Sequence, residues 1–149
     1  MRQYIETALS ERDAGKSLPF ITIEKNSGKA VGSSRYGNIA LEHRRLEIGW
    51  TWIAPEWQRT AVNTEAKLLM LTHAFEQLHC IRVEFKTDSL NERSQKALKR
   101  IGAKEEGIFR NHMITPGGRI RHSVYFSITD AEWPEVKRSL EAKLATPRR

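Results

Sequence analysis

The segment with the most suggestive chemistry runs from residue 48 to residue 64 and reads IGWTWIAPEWQRTAVNT. Its first half has the character of a β-strand and stops at Pro55, which has no N–H to donate to a sheet. A polar turn follows, and a long amphipathic helix is predicted from about Ala61 to His79. Such a junction directs free backbone N–H groups and the positive end of the helix dipole at one point. The segment is therefore a candidate anion site, most naturally for a phosphate or pyrophosphate.

Length and composition restrict the class of protein. The 149 residues, 39% of them hydrophobic, suit a single domain over 1–149 with one core. No apolar run approaches the roughly 18 residues of a membrane span, and residues 1–6 read as helix rather than as a secretory leader. We therefore expect a cytoplasmic protein with no membrane partner. The single cysteine, Cys80, fits a reducing compartment and is predicted to be a small buried hydrophobe rather than a nucleophile.

The formal net charge of +7 permits nucleic-acid binding, but the basic residues are scattered among acidic ones rather than gathered in a block. A solvated surface explains most of them, so a nucleic-acid partner is not favoured. A polyanionic cofactor or a ribosome-associated substrate fits the same surface.

The predicted elements alternate in a definite order: helix, hairpin, strand, helix, strand, helix, hairpin, helix. A strand-helix-strand unit between antiparallel pairings implies a mixed sheet with a parallel pair at its centre. The segments behind this prediction are a helix over 4–9, strands over 20–24 and 30–36, the strand 46–53, the helix 61–79, a strand over 81–86, a helix ended by Gly102, strands over 106–114 and 119–128, and a helix from Asp130 with a frayed end at 147–149.

Two of the helices carry more detailed predictions. The helix over 61–79 is expected to turn one apolar face inward, formed by Leu68, Leu71, Phe75 and Leu78. The helix that ends at Gly102 is expected to begin with a capping box over 89–92, to bury Ala97, Leu98 and Ile101, and to stop in a left-handed cap.

Taken in order, several short segments resemble the GNAT acetyltransferases, and in particular the branch that acetylates the N-termini of ribosomal proteins. Residues 58–63 resemble the acetyl-CoA-binding pattern Gln/Arg-x-x-Gly-x-Gly/Ala, although Ala61 and Asn63 hold the two glycine-type positions. The other matching segments are the central strand with its Pro-Glu-Trp end (48–57), NTEA (63–66), HCIRVE (79–84), NERS (91–94) with IGA (101–103), EG (106–107) and VYFS (124–127).

This resemblance implies an α/β (α+β) fold whose mixed, mostly antiparallel sheet has a splayed parallel pair and flanking helices. It implies acetyl-CoA as cosubstrate, no metal, and an amine acceptor that is a small molecule or a protein N-terminus. The pantetheine arm would pair with the splayed strands, including Trp52 and Ile53. The pyrophosphate would lie on the backbone amides that follow Gln58, namely those of Arg59, Thr60, Ala61, Val62, Asn63 and Thr64. Ala61 fits if its φ is negative, and Asn63 tolerates a positive φ.

The resemblance also suggests which residues act in catalysis. Glu47 is the candidate general base, with a solvent-facing carboxylate as the alternative, and His43 and His112 are other candidates. Many members place a tyrosine acid where this chain has Leu98, so Ser94 is the candidate to assist the leaving sulfur, unless it is a plain helix-surface serine. Asn91 would bind the pantetheine arm, with a helix N-cap as the alternative.

One departure concerns the N-terminus. Members of this branch begin with a strand and a helix before the part that corresponds to 1–15, and neither is found in this sequence. The strand at 20–24 is then expected to have an open edge, which favours pairing with a second chain in a homodimer. The alternative to an enzyme is a shortened, non-catalytic GNAT scaffold that binds CoA or a partner.

Overall fold

Ten helices and strands make up the part of the chain that a computed structural model describes, residues 1–146. Their order matches the order predicted from the sequence, and the frayed end predicted at 147–149 lies outside the described residues. No helix in the described part is long and apolar enough to cross a membrane. The elements are α1 (Arg2–Asp13), β1 (Leu18–Ile23), β2 (Ala30–Ala40), β3 (Arg45–Ile53), α2 (Val62–Thr72), β4 (Arg82–Asp88), α3 (Glu92–Arg100), β5 (Lys104–Ile114), β6 (Ile120–Thr129) and α4 (Trp133–Ala145).

The six strands form one sheet in the order β1-β2-β3-β4-β6-β5. All neighbours are antiparallel except β3 and β4, which confirms the predicted mixed sheet with a parallel pair at its centre. These two strands pair only from Arg45 opposite Arg82 to Glu47 opposite Glu84, yet they continue to Ile53 and Asp88. Beyond Glu47 they diverge, so each presents an unpaired backbone edge to the gap between them.

The divergence coincides with a β-bulge in β3. Ser33 pairs with Trp52 and Arg35 pairs with Gly49, so two residues of β3 oppose a single residue of β2. The first of the two, Trp50, has a φ of 52°, a left-handed conformation that is strained for a bulky residue. The Tyr4 hydroxyl donates to the Trp50 carbonyl at 3.1 Å, and the Arg35 guanidinium lies 5.7 Å from the indole centroid. Helix α1 and β2 thus hold the bulge in place.

The two faces of the sheet differ in character, as Arg35 and its neighbour Tyr36 illustrate. The Tyr36 hydroxyl donates to the Met70 carbonyl on α2, whereas Arg35 forms an ion pair with Glu11 on α1 at 2.8 Å. Because adjacent strand residues point to opposite faces, α2 and α1 lie on opposite sides of the sheet. The main core lies on the α2 side, and its fully enclosed members include Leu71, Ala74, Val83, Phe126, Ile128 and Leu140. Cys80 is buried, as predicted.

Three of the four residues predicted to form the apolar face of helix α2 are confirmed, and the last one is wrong. Leu71 and Phe75 are buried and Leu68 packs on the core, but Leu78 is 47% exposed. After Thr72 the helix continues as a π-helical turn over His73–Gln77. A π turn takes more residues per turn, so it rotates the following side chains away from the face set by the α-helical spacing.

Helix α3 begins differently from the prediction. Its N-cap is Asn91, whose Oδ1 accepts the Ser94 N–H at 3.0 Å, so the predicted capping box over 89–92 is wrong. The Ser89 N–H instead donates to the His122 carbonyl, and this hydrogen bond keeps Ser89 outside the helix. Leu98 and Ile101 are buried as predicted, and Gly102 follows with a φ of 93°, the predicted left-handed cap.

Strand β1 is an edge strand within the described part of the chain, paired on one side with β2. Two of its apolar side chains, Ile21 and Ile23, are 69% and 61% exposed. This segment is the edge that the sequence predicts to be open.

Candidate functional site

Two adjoining cavities lie where β3 and β4 diverge, next to the N-termini of α2 and α3. We call the larger, of about 630 Å³, the outer cavity and the smaller, of about 330 Å³, the inner cavity. The outer cavity is bordered by the end of β3, the turn before α2, and α3. The inner cavity extends between the strands and is bordered by Trp50, Phe85 and Leu98 among others. Their shared walls are formed by Thr51, Asn63, Asn91, Ser94 and Ala97.

Most of the predicted binding residues meet at the outer cavity: Trp52, Ile53, Gln58, Arg59, Thr60, Asn63 and Asn91 all line it. The other three side chains point elsewhere. Ala61 and Val62 face a groove on the β1 side, and Thr64 is buried, where its Oγ1 accepts a hydrogen bond from Arg100 at 3.0 Å. A cradle made of backbone amides does not require these side chains to face the ligand.

The turn before α2 has the geometry of a helix N-terminus, and Thr60 Oγ1 accepts the Val62 N–H at 3.3 Å. Helix α2 starts at Val62, so the N–H groups of its first turn have no acceptor within the helix. Ala61 has a φ of −68°, which meets the condition for an alanine at a glycine-type position. Asn63 lies inside the helix, so its tolerance of a positive φ is not used. The left-handed residue is Arg59, with a φ of 63°.

Among residues 1–146, four cationic side chains and no carboxylate line the outer cavity. Arg59 comes from the turn, whereas Arg93, Lys96 and Arg100 share one face of α3. Arg93 donates to Gln58 Oε1 at 2.5 Å, which ties α3 to the turn. The sequence prediction missed these three helix residues, although their spacing of i, i+3 and i+7 marks a common face. Together with the α2 N-terminus they make the cavity suitable for a polyanion.

Asn91 and Ser94 stand at the junction of the two cavities. Asn91 uses Oδ1 as the N-cap of α3, as the alternative for this residue predicted, while its Nδ2 has no hydrogen-bond partner in the described chain. That amide nitrogen remains available to donate to a ligand carbonyl. The Ser94 hydroxyl also makes no hydrogen bond within residues 1–146, and Ser94 lines both cavities.

Glu47 is buried rather than solvent-facing, with 2% of its surface exposed. Its carboxylate accepts a hydrogen bond from Asn38 Nδ2 at 2.5 Å and lies 3.4 Å from Lys86 Nζ. Glu47 itself lines neither cavity. However, Gly49 does line the inner cavity, and a Cβ placed there would lie only 3.1 Å from Glu47 Oε1. The carboxylate is therefore adjacent to the inner cavity, on the face of the sheet opposite α2.

The two histidines considered as alternative bases lie elsewhere. The side chain of His43 is 64% exposed in the turn before β3, and His112 Nδ1 is 2.9 Å from Ser123 Oγ on the β5–β6 hairpin. Neither lines the outer or the inner cavity. Among residues 1–146 no group of three or more His, Cys, Asp or Glu side chains is arranged to hold a metal ion.

Lys67 is the residue that the sequence prediction overlooked altogether. It lies on the inward face of α2, is 95% buried, and lines the inner cavity. Its Nζ donates to Thr51 Oγ1 at 2.8 Å and to Ser34 Oγ at 3.3 Å, and these two hydroxyls are 2.7 Å apart. No carboxylate in the described part of the chain pairs with it. Burial accordingly lowers the pKa of Lys67 to about 7.

Comparison with known proteins identifies this arrangement. Residues 1–104 match the family model described as "Acetyltransferase (GNAT) domain". The chain is 35% identical over 111 residues to the "Putative ribosomal N-acetyltransferase YdaF" of Bacillus subtilis (strain 168), an alignment that covers 74% of this chain and 59% of that protein. The chain spans about three fifths of the length of the curated relatives it matches.

Solved structures share the fold. A GCN5-related N-acetyltransferase from Brucella melitensis superposes with a TM-score of 0.89 at 34% identity, covering 97% of this chain and 66% of that one. RimJ of Mycobacterium smegmatis, solved in complex with CoA-disulfide, superposes with a TM-score of 0.80 at 26% identity, covering 95% and 67%.

The cations of the outer cavity give a first prediction. Replacing Lys96 by Glu puts a negative charge into the cavity, so affinity for CoA should fall about fivefold, roughly 1 kcal/mol for a charge in an exposed site. Lys29→Glu changes the net charge equally in the β1–β2 turn and should leave affinity unchanged. Isothermal titration calorimetry at two salt concentrations measures both. Equal losses in the two variants would show that net charge, not the cavity, is responsible.

Lys67 gives a prediction about pH and stability. Its pKa in the folded chain, about 7, lies below the value near 10.4 of an unfolded lysine. Between these values the unfolded chain binds one more proton, so stability rises with pH by up to about 1.4 kcal/mol per unit. Lys67→Met should lack this rise, as urea unfolding between about pH 7.5 and 9.5 can measure. Lys29→Met is the exposed control, and a pH dependence shared by Lys67→Met and the native chain would contradict the prediction.

Proposed function

Because the chain belongs to the GNAT acetyltransferase family, we propose that it transfers the acetyl group of acetyl-CoA to a primary amine, and that this amine is a protein N-terminus. The single observation that carries the proposal is the divergence of β3 from β4 beside a cation-lined cavity. The gap offers unpaired backbone to an extended chain, and the cavity offers charge to phosphates. Residues 1–149 are taken as one acetyltransferase domain in this proposal.

The cofactor would lie along both cavities. Its phosphates would occupy the outer cavity, where the backbone N–H groups at the start of α2 and the side chains of Arg93, Lys96 and Arg100 converge. The pantetheine arm would then pass the junction, where Asn63 Oδ1 is buried without a hydrogen-bond partner. A pantetheine amide N–H would satisfy that acceptor, and Asn91 Nδ2 would donate to a pantetheine carbonyl. The thioester would reach the inner cavity.

The reaction would proceed by direct attack. The acceptor nitrogen adds to the thioester carbon, the C–N bond forms, and the C–S bond breaks as the oxyanion collapses. Glu47, adjacent to the inner cavity, would accept the proton that the amine loses, and Lys86 and Asn38 hold its carboxylate in place. Ser94 would donate a hydrogen bond to the departing sulfur. Leu98, which lines the same cavity, has no proton to give.

The class of acceptor is inferred from the relatives. YdaF is described as ribosomal, and the RimJ structure superposes on nearly the whole chain. Release of free thiol from acetyl-CoA, measured over peptides with different N-terminal residues and over small amines, tests this assignment. Thiol release with small amines but with none of the peptides would contradict a protein N-terminus as the acceptor.

The rival function is a non-catalytic scaffold that binds CoA or a partner protein. The observation in its favour is Leu98, an aliphatic residue in the position of a family acid. The same assay separates the two functions, because a scaffold would gain thermal stability from acetyl-CoA without releasing thiol from it with any acceptor.

Glu47 gives the first kinetic prediction. Glu47→Gln keeps the size of the side chain but cannot accept a proton, so kcat should fall by roughly 10²–10⁴-fold with little change in acetyl-CoA affinity. Glu42→Gln, in the exposed turn before β3, is the matched control. A kcat for Glu47→Gln within about twofold of the native value would remove Glu47 as the base.

Ser94 gives the second kinetic prediction. Ser94→Ala removes the hydroxyl at the junction, and kcat should fall more than acetyl-CoA affinity if that hydroxyl assists the leaving sulfur. Steady-state kinetics and calorimetry provide the two numbers. Weaker binding with an unchanged kcat would assign Ser94 to cofactor binding alone.

A homodimer is also part of the proposal, supported by the edge of β1 and its exposed Ile21 and Ile23. Light scattering at micromolar concentration should give the mass of two chains, and Ile21→Lys should shift it to one by placing a charge on the shared edge. Ile114→Lys is the control, since Ile114 is also exposed but lies on β5 at the opposite edge of the sheet. A strict monomer at all concentrations would contradict the dimer.

A further inference from the structure

The proposed reaction gives no role to the amine of Lys67, which lines the inner cavity. The other lysine that lines this cavity, Lys86, pairs with Glu47. Lysines are rarely fully buried without a charged partner, and Lys67 has only two hydroxyls. It lies on the same face of α2 as Asn63, one helical turn further along. For packing alone, an aliphatic residue would suit this position better, because it has no polar group that needs a hydrogen-bond partner.

The geometry directs the amine to the diverging strand. Lys67 Nζ lies 2.8 Å from Thr51 Oγ1, and Thr51 belongs to the bulge at which β3 separates from β4. Thr51 lines both cavities, so Lys67 Nζ is within one hydrogen bond of the route assigned to the pantetheine arm. The charged residues that line the same inner cavity are Lys86, Asp88 and Arg121, and none of them forms an ion pair with Lys67.

The hydrogen bonds also leave the nitrogen in a reactive form. In the neutral amine, the two N–H groups donate to Ser34 and Thr51, which fixes the nitrogen and leaves its lone pair unshared. Only a neutral amine attacks a thioester, and burial favours that form here. The Lys67 nitrogen therefore lies beside the proposed route of the pantetheine arm and is also in the neutral form that can attack a thioester.

We propose that Lys67 is a self-acetylation site, modified by acetyl-CoA bound to the same molecule. The Lys67 nitrogen attacks the thioester carbon, a C–N bond forms and the C–S bond breaks, and CoA leaves as a thiolate that takes up the proton lost by the nitrogen. The products are Nε-acetyllysine and CoA, with no further reactant. This step rests on the proposed function only in requiring acetyl-CoA in the inner cavity.

Acetylation at this position would limit the enzyme. The inner cavity measures about 330 Å³, and an acetyl group on Lys67 would fill part of the space assigned to the thioester. It would also remove one of the two N–H groups that bind Ser34 and Thr51. Acetyl-CoA without an acceptor would therefore switch the protein into a less active form.

The test uses the full chain and acetyl-CoA with a deuterated acetyl group, without any acceptor. Peptide mass spectrometry should find the label on Lys67 at least roughly tenfold above Lys29, because only about one in a thousand exposed lysine amines is neutral near pH 7.5. Excess CoA should suppress the label on Lys67 and leave the label on Lys29 unchanged. Thiol release should stop after one equivalent per chain.

Lys67→Arg is the matched variant, since it keeps hydrogen-bond donors at this position and cannot be acetylated under these conditions. It should show no single-equivalent release of thiol and no loss of transferase activity after incubation with acetyl-CoA. Thermal shift with acetyl-CoA is measured on both proteins. If acetyl-CoA raises the melting temperature but Lys67 stays unlabelled, self-acetylation is wrong and cofactor binding stands. If neither occurs, the proposed function fails as well.

Discussion

The bulge at Trp50 is the constraint on which the rest of the site depends. An extra residue in β3 forces its second half away from β4, and the parallel ladder ends after three residue pairs. A left-handed aromatic residue is unfavourable on its own, so the surrounding structure must maintain it. Tyr4 binds its carbonyl, Arg35 lies over its ring, and Gly37 leaves room for that ring, since a Cβ there would come within 2.4 Å of it.

The features around this divergence have complementary roles. Outside it, the N-terminus of α2 and the cationic face of α3 concentrate positive potential in a cavity that no carboxylate of residues 1–146 lines. Inside it, the polar groups are buried and positioned by their neighbours: Glu47 by Asn38 and Lys86, and Lys67 by Ser34 and Thr51. The positive potential therefore lies where the phosphates of the proposed cofactor would bind, and the buried Glu47 and Lys67 lie where its reactive end would reach. Membership of the GNAT family is consistent with this division.

Element order and sheet topology were predictable from the sequence because alternation, helical spacing and turn residues act locally. Three details were not. The π turn after Thr72, which exposes Leu78, has no sequence signature comparable to proline or glycine. Ser89 fits the capping pattern as well as Asn91 does, and only the bond from Ser89 to β6 decides between them. Lys67 interrupts the apolar face of α2, and the sequence alone indicates a solvent-exposed side chain for a lysine there. Its hydroxyl partners lie far away in the sequence, on β2 and β3, so only the fold shows that it is buried.

The placement of the cations on α3 has a consequence for the proposed reaction. Arg93, Lys96 and Arg100 line the outer cavity and not the inner one, so they would contact only groups that the reaction leaves unchanged. Contacts of this kind bind the donor before transfer and the spent carrier after it with equal strength, and such uniform binding does not accelerate the chemical step. An enzyme that binds its cofactor in this way would be inhibited by CoA in competition with acetyl-CoA, and a rise in ionic strength would weaken the binding of both.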